Sequence, residues 1–257
     1  MALAMTSSTV DPATVSLDVP ATSRARANRR RVATHQSVPA LPSLVVPQQV
    51  AMTNTRVLVL RHGQSEWNAL GRWQGQANPP LTILGIQQAT DAAALLATEC
   101  PPFDLVITSN LERAHLTGQT IAQILGVPKV HVDNRWQENE AGEWQGLTPD
   151  EIRVQWPGYL ESGRRPPHFE TEESTNQRVR AALNTIAEEN RGKCILVISH
   201  GGVLRLFRAH LGGPDQRFPN LSGSWFEHNE SSGWHLGSLL YPPQLIADDL
   251  RNNGAVE

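Results

Sequence analysis

Three short apolar runs in this chain each break off into polar residues. Arg56-Val-Leu-Val-Leu-Arg61 meets His62-Gly63, Asp104-Leu-Val-Ile-Thr108 meets Ser109-Asn110, and Cys194-Ile-Leu-Val-Ile-Ser199 meets His200-Gly201. Runs that are apolar at successive positions, not at alternate ones, read as strands buried on both faces. Both faces then need cover, and the segments between the runs supply helices. Residues 82–98 start at Thr82, a suitable N-cap, and continue through Ala and Leu. Leu111 to Leu125 is a second helix, stopped by Gly126 with Pro128 beyond. Thr148 caps a short helix over Pro149–Gln155, with proline at its first position. Ser174–Glu189 and Gly202–Leu211 complete the helices, and Val130–Val132 adds a short strand. Alternating segments near Ser224–His228 and Trp234–Leu240 read as a hairpin or edge pair. The expected fold is α/β: a three-layer α/β/α sandwich with a mostly parallel central sheet.

Sheets of this kind bind ligands beyond the carboxyl ends of their strands, which is where the polar residues fall. Arg61, His62, Arg113, His200 and the amides after His62 then converge on one crevice. All are donors or can be, and the arginine fork matches a phosphate. Gly63 lets the backbone come close to a ligand, and Asn68 adds a neutral donor. An imidazole whose other nitrogen is hydrogen-bonded is a competent nucleophile toward phosphorus. Arginines and a second histidine stabilise the transferring phosphoryl group without a metal. The leaving oxygen needs a proton. Glu138 is the candidate in Trp136-Gln-Glu-Asn-Glu-Ala-Gly-Glu-Trp-Gln-Gly146, with Glu140 and Glu143 as competitors that spacing does not separate. Beside a phosphate's charge such a carboxyl holds its proton more tightly, which suits a general acid.

Charge is uneven along the chain. Its net value is −3, but residues 1–51 hold five arginines and two acids, so residues 52–257 stand at −6. All 14 aromatic residues lie after residue 51. The mild acidity argues against nucleic acid as a partner. No apolar stretch approaches a membrane span. Cys100 and Cys194 are too few for a disulfide framework and too isolated for a zinc knuckle. His62 and Glu66 have the spacing of half a metal site, but Gly63 disfavours a helix there, so no metal or other cofactor is expected.

Residues 1–51 lack aromatics and sustained periodicity, and read as a disordered extension. An unstructured leader, including one upstream of a true start near Met52, is the favoured reading. An organellar targeting peptide and an export signal on Arg29-Arg30 are the others, the last weakened by Pro39, Pro42 and Pro47. The expected location is cytoplasmic, with organellar targeting left open. Residues 52–257 form the catalytic domain.

Leu60-Arg-His-Gly-Gln-Ser-Glu-Trp-Asn68 resembles the signature of the histidine phosphatase superfamily, the phosphoglycerate mutase-like proteins. Ser109-Asn-Leu-Glu-Arg-Ala114 with Thr117 resembles its second arginine motif, Glu138 with Gly142 and Trp144-Gln-Gly146 its acid motif, and Ser199-His-Gly-Gly202 its second histidine motif. All occur in family order across residues 56–240. The resemblance implies His62 as phosphoryl acceptor, Arg61, Arg113 and His200 as phosphate ligands, and Glu138 as proton donor and then activator of water. It places Asn68 against phosphate or substrate, and Arg72, Gln74 and Gly75 on a substrate-lining loop.

Two positions depart from the family pattern. Glu172-Glu173-Ser174 stands where Gly-Glu-Ser is common, so Glu173 either touches substrate or, as favoured here, caps the helix with Ser174. Trp136 replaces the usual leucine before the acid and alters the pocket wall. Mutases of the family carry a longer insert with basic residues for a second phosphate. Here Thr148–Glu173 is short, and its one basic pair, Arg164-Arg165, reads as solvated charge. The form resembles the phosphatase branch, and Arg72-Trp-Gln-Gly-Gln76 with Trp225 and Trp234 is similar to actinobacterial sugar-phosphoglycerate phosphatases. The expected function is hydrolysis of a small phosphorylated metabolite through phosphohistidine. A cofactor-dependent phosphoglycerate mutase and a non-catalytic phospholigand-binding protein are the alternatives. A homodimer is compatible with the resemblance.

Overall fold

Side chains along the central strands point alternately to two faces, and that sorting builds two separate cores. The computed structural model describes residues 54–242; the expectations for residues 1–51 lie outside the described residues. Six strands, β1 (Thr55–Arg61), β2 (Leu105–Thr108), β3 (Val130–Val132), β4 (Cys194–Ser199), β5 (Gly223–Asn229) and β6 (Gly233–Leu240), form one sheet in the order β3-β2-β4-β1-β5-β6. The first four in that order run parallel, and β5 and β6 are antiparallel. The helices are α1 (Glu66–Ala69), α2 (Ile83–Glu99), α3 (Glu112–Leu125), α4 (Pro149–Gln155), α5 (Glu172–Glu189) and α6 (Gly201–His210).

Val57, Val59, Ile195 and Val197 pack with Leu183 of α5 and Phe207 of α6 in one core. Leu58, Leu60, Leu196 and Ile198 pack with Leu96 of α2 and Ile121 of α3 in the other. Each such side chain contributes about 1.5–3 kcal/mol by leaving water. The α/β/α sandwich follows from this period of two, repeated in adjacent strands. Among the described residues no helix is long and apolar enough to cross a membrane.

Local signals act where the sequence places them. The Thr82 hydroxyl accepts the Gly85 N–H at 2.9 Å. Thr148 and Glu151 cap α4 reciprocally, at 3.3 and 2.7 Å. Gly126 ends α3 at φ 71°, a conformation that favours glycine. The start of α5 differs from expectation. It begins at Glu172, two residues before Ser174, and Thr171 is the N-cap, accepting the Ser174 N–H at 3.1 Å. The chain is pinned just upstream, where the Glu170 N–H meets the Glu140 carbonyl at 2.9 Å, so the helix starts at the first residue able to turn. Glu173 therefore does not cap with Ser174; its carboxylate accepts from Gln177 Nε2 at 2.8 Å. The one-turn α1 was not expected. Ser65 and Asn68 cap it reciprocally, which turns the loop after His62 into a fixed support.

Parallel pairing of β1 with β4 puts Arg61 opposite Ser199 in register. The residues that follow, His62 and His200, consequently leave the sheet side by side at its carboxyl edge.

Candidate active site

His62 is almost wholly buried, at 1% exposure. Its Nδ1 lies 2.6 Å from the Gly63 carbonyl oxygen, so Nδ1 carries the proton and donates it there. Nε2 is left with a lone pair, which accepts the Arg113 Nε–H at 3.1 Å. Arg113, fully buried at the start of α3, also donates to the Ala77 carbonyl at 2.7 Å and the Gly75 carbonyl at 2.9 Å. One guanidinium thus joins His62 to the loop after α1.

Arg61 is held from the segment before β5. Its Nη1 donates to the Phe218 carbonyl at 2.8 Å, and its backbone N–H to the Ser222 carbonyl at 3.0 Å. Asn220 from the same segment donates to the His62 carbonyl at 2.7 Å. Gly63 fits because it has no side chain: a Cβ there would collide with the Gly85 carbonyl of α2. Its N–H is taken by the Thr117 hydroxyl at 3.1 Å.

His200 is the N-cap of α6 and fully buried. Its ring stands 5.1 Å from that of His62, edge toward face. Neither of its nitrogens has a hydrogen-bond partner among the described residues. Burial and the Arg113 charge push both imidazoles well below their ordinary value; Arg61 adds to this at both, and His62 itself acts on His200. Both rings are therefore neutral near pH 7, the state a nucleophilic His62 needs. A bound phosphate dianion reverses the field and favours the proton that a phosphate ligand donates.

Of the three glutamates offered by the acid segment, Glu138 lines the pocket beside this pair. Its carboxylate accepts N–H groups from Asn139 at 2.8 Å, Gly202 at 3.1 Å and Val203 at 3.2 Å, the last two in the first turn of α6. Glu140 turns back toward the Gly142 N–H at 3.3 Å, and Glu143 is exposed.

Asn68 spends Oδ1 on the Ser65 N–H at 3.1 Å, which leaves its amide NH2 as the donor it can offer. Gln74 and Gly75 line the pocket. Gln74 Oε1 accepts the Ser65 hydroxyl at 2.7 Å, and its Nε2 has no partner among the described residues.

Two residues stand elsewhere than expected. Arg72 does not line the pocket: it pairs with Glu151 at 2.8 Å and donates to the Gly146 carbonyl, tying its loop to α4. Trp136 does not form pocket wall, since it is buried in the core with Val203 and Phe207. Arg164 and Arg165 are both exposed, in keeping with solvated charge. Arg164 lies over Tyr159, while Arg165 sits in the pocket lining with its guanidinium 5.2–5.8 Å from the Phe169, Trp144 and Trp73 rings.

Other contributors escaped the sequence reading. Arg178 of α5 donates to the Arg135 and Gln137 carbonyls at 2.8 and 2.6 Å, bracing the strand of chain that presents Glu138. It also forks onto Glu170 at 2.8 Å. Burial opposes the charge on Glu170, but Arg178 outweighs it and holds that carboxyl below its usual range. No motif marks Arg178 or Asn220. Their partners are backbone carbonyls, which carry no sequence signature.

The family model of the histidine phosphatase superfamily (branch 1) matches residues 57–235. A glucosyl-3-phosphoglycerate phosphatase of Mycobacterium tuberculosis is 32% identical over 226 residues, 77% of this chain and 100% of the relative. A 2,3-bisphosphoglycerate-dependent phosphoglycerate mutase of Rhizobium johnstonii is 37% identical over 164 residues, 60% of this chain and 77% of the relative. The native structure of a mycobacterial glucosyl-3-phosphoglycerate phosphatase superposes with a TM-score of 0.66 at 26% identity, covering 74% of this chain and 100% of that one.

Proposed function

The chain belongs to the histidine phosphatase superfamily, and from that premise we propose that it hydrolyses a small phosphorylated metabolite through a phosphohistidine on His62. The observation that carries this reading is the state of His62: Nδ1–H held by the Gly63 carbonyl, Nε2 bearing the lone pair. The relative and the solved structure that are covered along their whole length are both named glucosyl-3-phosphoglycerate phosphatase.

In the first step Nε2 attacks phosphorus in line. An N–P bond forms, the P–O bond to the leaving alcohol breaks, and Glu138 delivers a proton to that oxygen. The Gly63 carbonyl faces the Nδ1–H of the phosphorylated ring and stabilises its positive charge. Arg61, Arg113 and His200 bind the equatorial oxygens, where phosphoryl charge accumulates. Water then attacks phosphorus, Glu138 takes its proton, and the N–P bond breaks to give inorganic phosphate and free His62. No step of this scheme uses a metal.

Residues 52–257 carry this activity in our reading. A cytoplasmic enzyme fits Cys100 and Cys194, both free of disulfides. The short Thr148–Glu173 segment favours hydrolysis over the mutase reaction. Release of phosphate from p-nitrophenyl phosphate in EDTA, blocked by vanadate, is the expected result. Interconversion of 2- and 3-phosphoglycerate dependent on the bisphosphate, without net hydrolysis, would replace this reading by the mutase.

A further inference from the structure

The face of α2 that packs on the sheet is apolar except at one position. Its buried residues are Gly85, Gln88, Ala89, Ala92, Ala93 and Leu96, the spacing of a core-facing stripe. Ala89, Ala92, Ala93 and Leu96 belong to the core around Leu58 and Leu60. Gln88 stands in the same stripe at 2% exposure, and its Nε2 has no hydrogen-bond partner among the described residues. A buried donor left unpaired costs about 1–3 kcal/mol, which leucine or methionine in that stripe would not incur. The other end of the amide is engaged: Oε1 accepts the Gln64 N–H at 2.8 Å.

That N–H belongs to the peptide that meets the His62 ring. The Gly63 carbonyl and the Gln64 N–H are the two ends of one planar amide, and the Gly63 oxygen lies 2.6 Å from His62 Nδ1. Hydrogen bonds therefore run in a chain from Nδ1–H to the Gly63 carbonyl, and from the Gln64 N–H to Gln88 Oε1. An amide that donates through its N–H is a stronger acceptor at its carbonyl, because both bonds polarise it the same way. The preceding peptide is held as well, its carbonyl by Asn220 at 2.7 Å and its N–H by Thr117 at 3.1 Å, but it does not carry the acceptor of the imidazole proton. Backbone contact fixes how far α2 stands from this loop. The Thr82 N–H donates to the Gln64 carbonyl at 2.9 Å, and a Cβ on Gly85 would lie 2.1 Å from the same oxygen.

We propose that Gln88 is a positioning residue for His62. By holding the Gln64 N–H it strengthens the Gly63 carbonyl as an acceptor. That keeps the proton on Nδ1, leaves the lone pair on Nε2 and supports the positive charge of the phosphorylated ring. The proposal rests on the phosphatase reading above and deepens it. Binding of phosphate before any bond is made draws on Arg61, Arg113 and His200, so Gln88 acts on turnover and not on affinity for phosphate.

The test uses the full chain carrying Gln88→Met, which matches the side chain in length but offers no oxygen, and Gln88→Glu, which restores an acceptor. In Gln88→Met we expect kcat on p-nitrophenyl phosphate to fall about three- to tenfold, the worth of one hydrogen bond, with the inhibition constant of inorganic phosphate within about twofold of wild type. Gln88→Glu should recover most of the loss. The His62 Nδ1 proton, read by NMR of nitrogen-15 histidine-labelled protein and assigned by its absence from His62→Ala, should move upfield in Gln88→Met as its hydrogen bond weakens. Gln88→Asn, which draws the amide back by one methylene, replaces Gln88→Met if that variant does not fold, with the same changes expected. An unchanged kcat, a loss shared equally with phosphate affinity, no recovery in Gln88→Glu, or an Nδ1 proton that stays at its wild-type position would overturn the positioning role while leaving the phosphatase standing. A wild type that hydrolyses no ester, p-nitrophenyl phosphate included, would overturn both.

Discussion

The Nε–H of Arg113 donates to Nε2 of His62 at 3.1 Å, so the atom we propose attacks phosphorus is also the atom touched by the arginine we propose binds phosphate. An incoming phosphoryl group must enter between them, and its oxygens then take over the guanidinium. Arg113→Lys keeps the charge but loses the three-point fork to His62, Gly75 and Ala77. We expect kcat/KM to fall by about 10²-fold, as when one preorganised donor is lost. Steady-state kinetics on p-nitrophenyl phosphate reads this, and a change under threefold would remove Arg113 from the site.

His62→Ala should keep the fold and lose at least about 10³-fold in kcat, because nothing replaces the nucleophile. Rapid acid-free quenching of wild type with a ³²P-labelled substrate should trap a label that is stable in alkali and lost in acid. A variant that still accumulates this label would sink the phosphohistidine.

Glu138→Gln removes the transferable proton but keeps an oxygen for the amides of α6. Loss should depend on the leaving group. Alkyl phosphates, whose alkoxide needs protonation, should slow by about 10²–10⁴-fold. p-Nitrophenyl phosphate, which leaves as a stable phenolate, should slow much less in the first step. Equal losses on both would argue that Glu138 only positions its neighbours. Gly202→Ala tests the same contact from the other side, since a Cβ there would lie 2.7 Å from Glu138 Oε1.

Stability should fall with acidity in a defined window. Burial and Arg113 keep His62 and His200 from protonating in the folded chain near their ordinary value of 6.5. The unfolded chain protonates both there and so binds more protons. Stability is full above about pH 6.5 and declines as pH drops below it, by about 1.4 kcal/mol per pH unit for each histidine. Urea midpoints at pH 7.5 and 5.5 measure this, and replacing His200 by Phe should flatten the slope. A wild-type midpoint unchanged across that range would contradict the burial of two neutral imidazoles.

Arg72→Ala separates the pocket from its scaffold. The Arg72–Glu151 pair is partly exposed, at 32% and 43%, so its loss should cost about 0–1 kcal/mol. We expect a small drop in melting temperature with kcat within about threefold of wild type. A KM rise of tenfold or more with unchanged stability would restore Arg72 to the substrate-binding set.

The sandwich was legible because its determinants are local and periodic. Successive apolar residues in Val57–Leu60 and Ile195–Ile198 demand cover on both faces, and Thr82, Thr148 and Gly126 mark helix ends by chemistry that acts within a few residues. The strand-end motifs likewise displayed Arg61, His62 and His200 as chemical types. Spacing by itself left Glu138, Glu140 and Glu143 open and the family resemblance favoured Glu138; the fold is what puts its carboxylate on the amides of α6. Tertiary structure also decided that Arg72 reaches Glu151, that Arg178 and Asn220 hold backbone carbonyls at the site, and that Arg165 and Arg205 come to line one pocket. Those pairings join segments 40 to 158 residues apart. Periodicity and capping act over a few residues, whereas long-range contacts exist only once the sheet has ordered its strands.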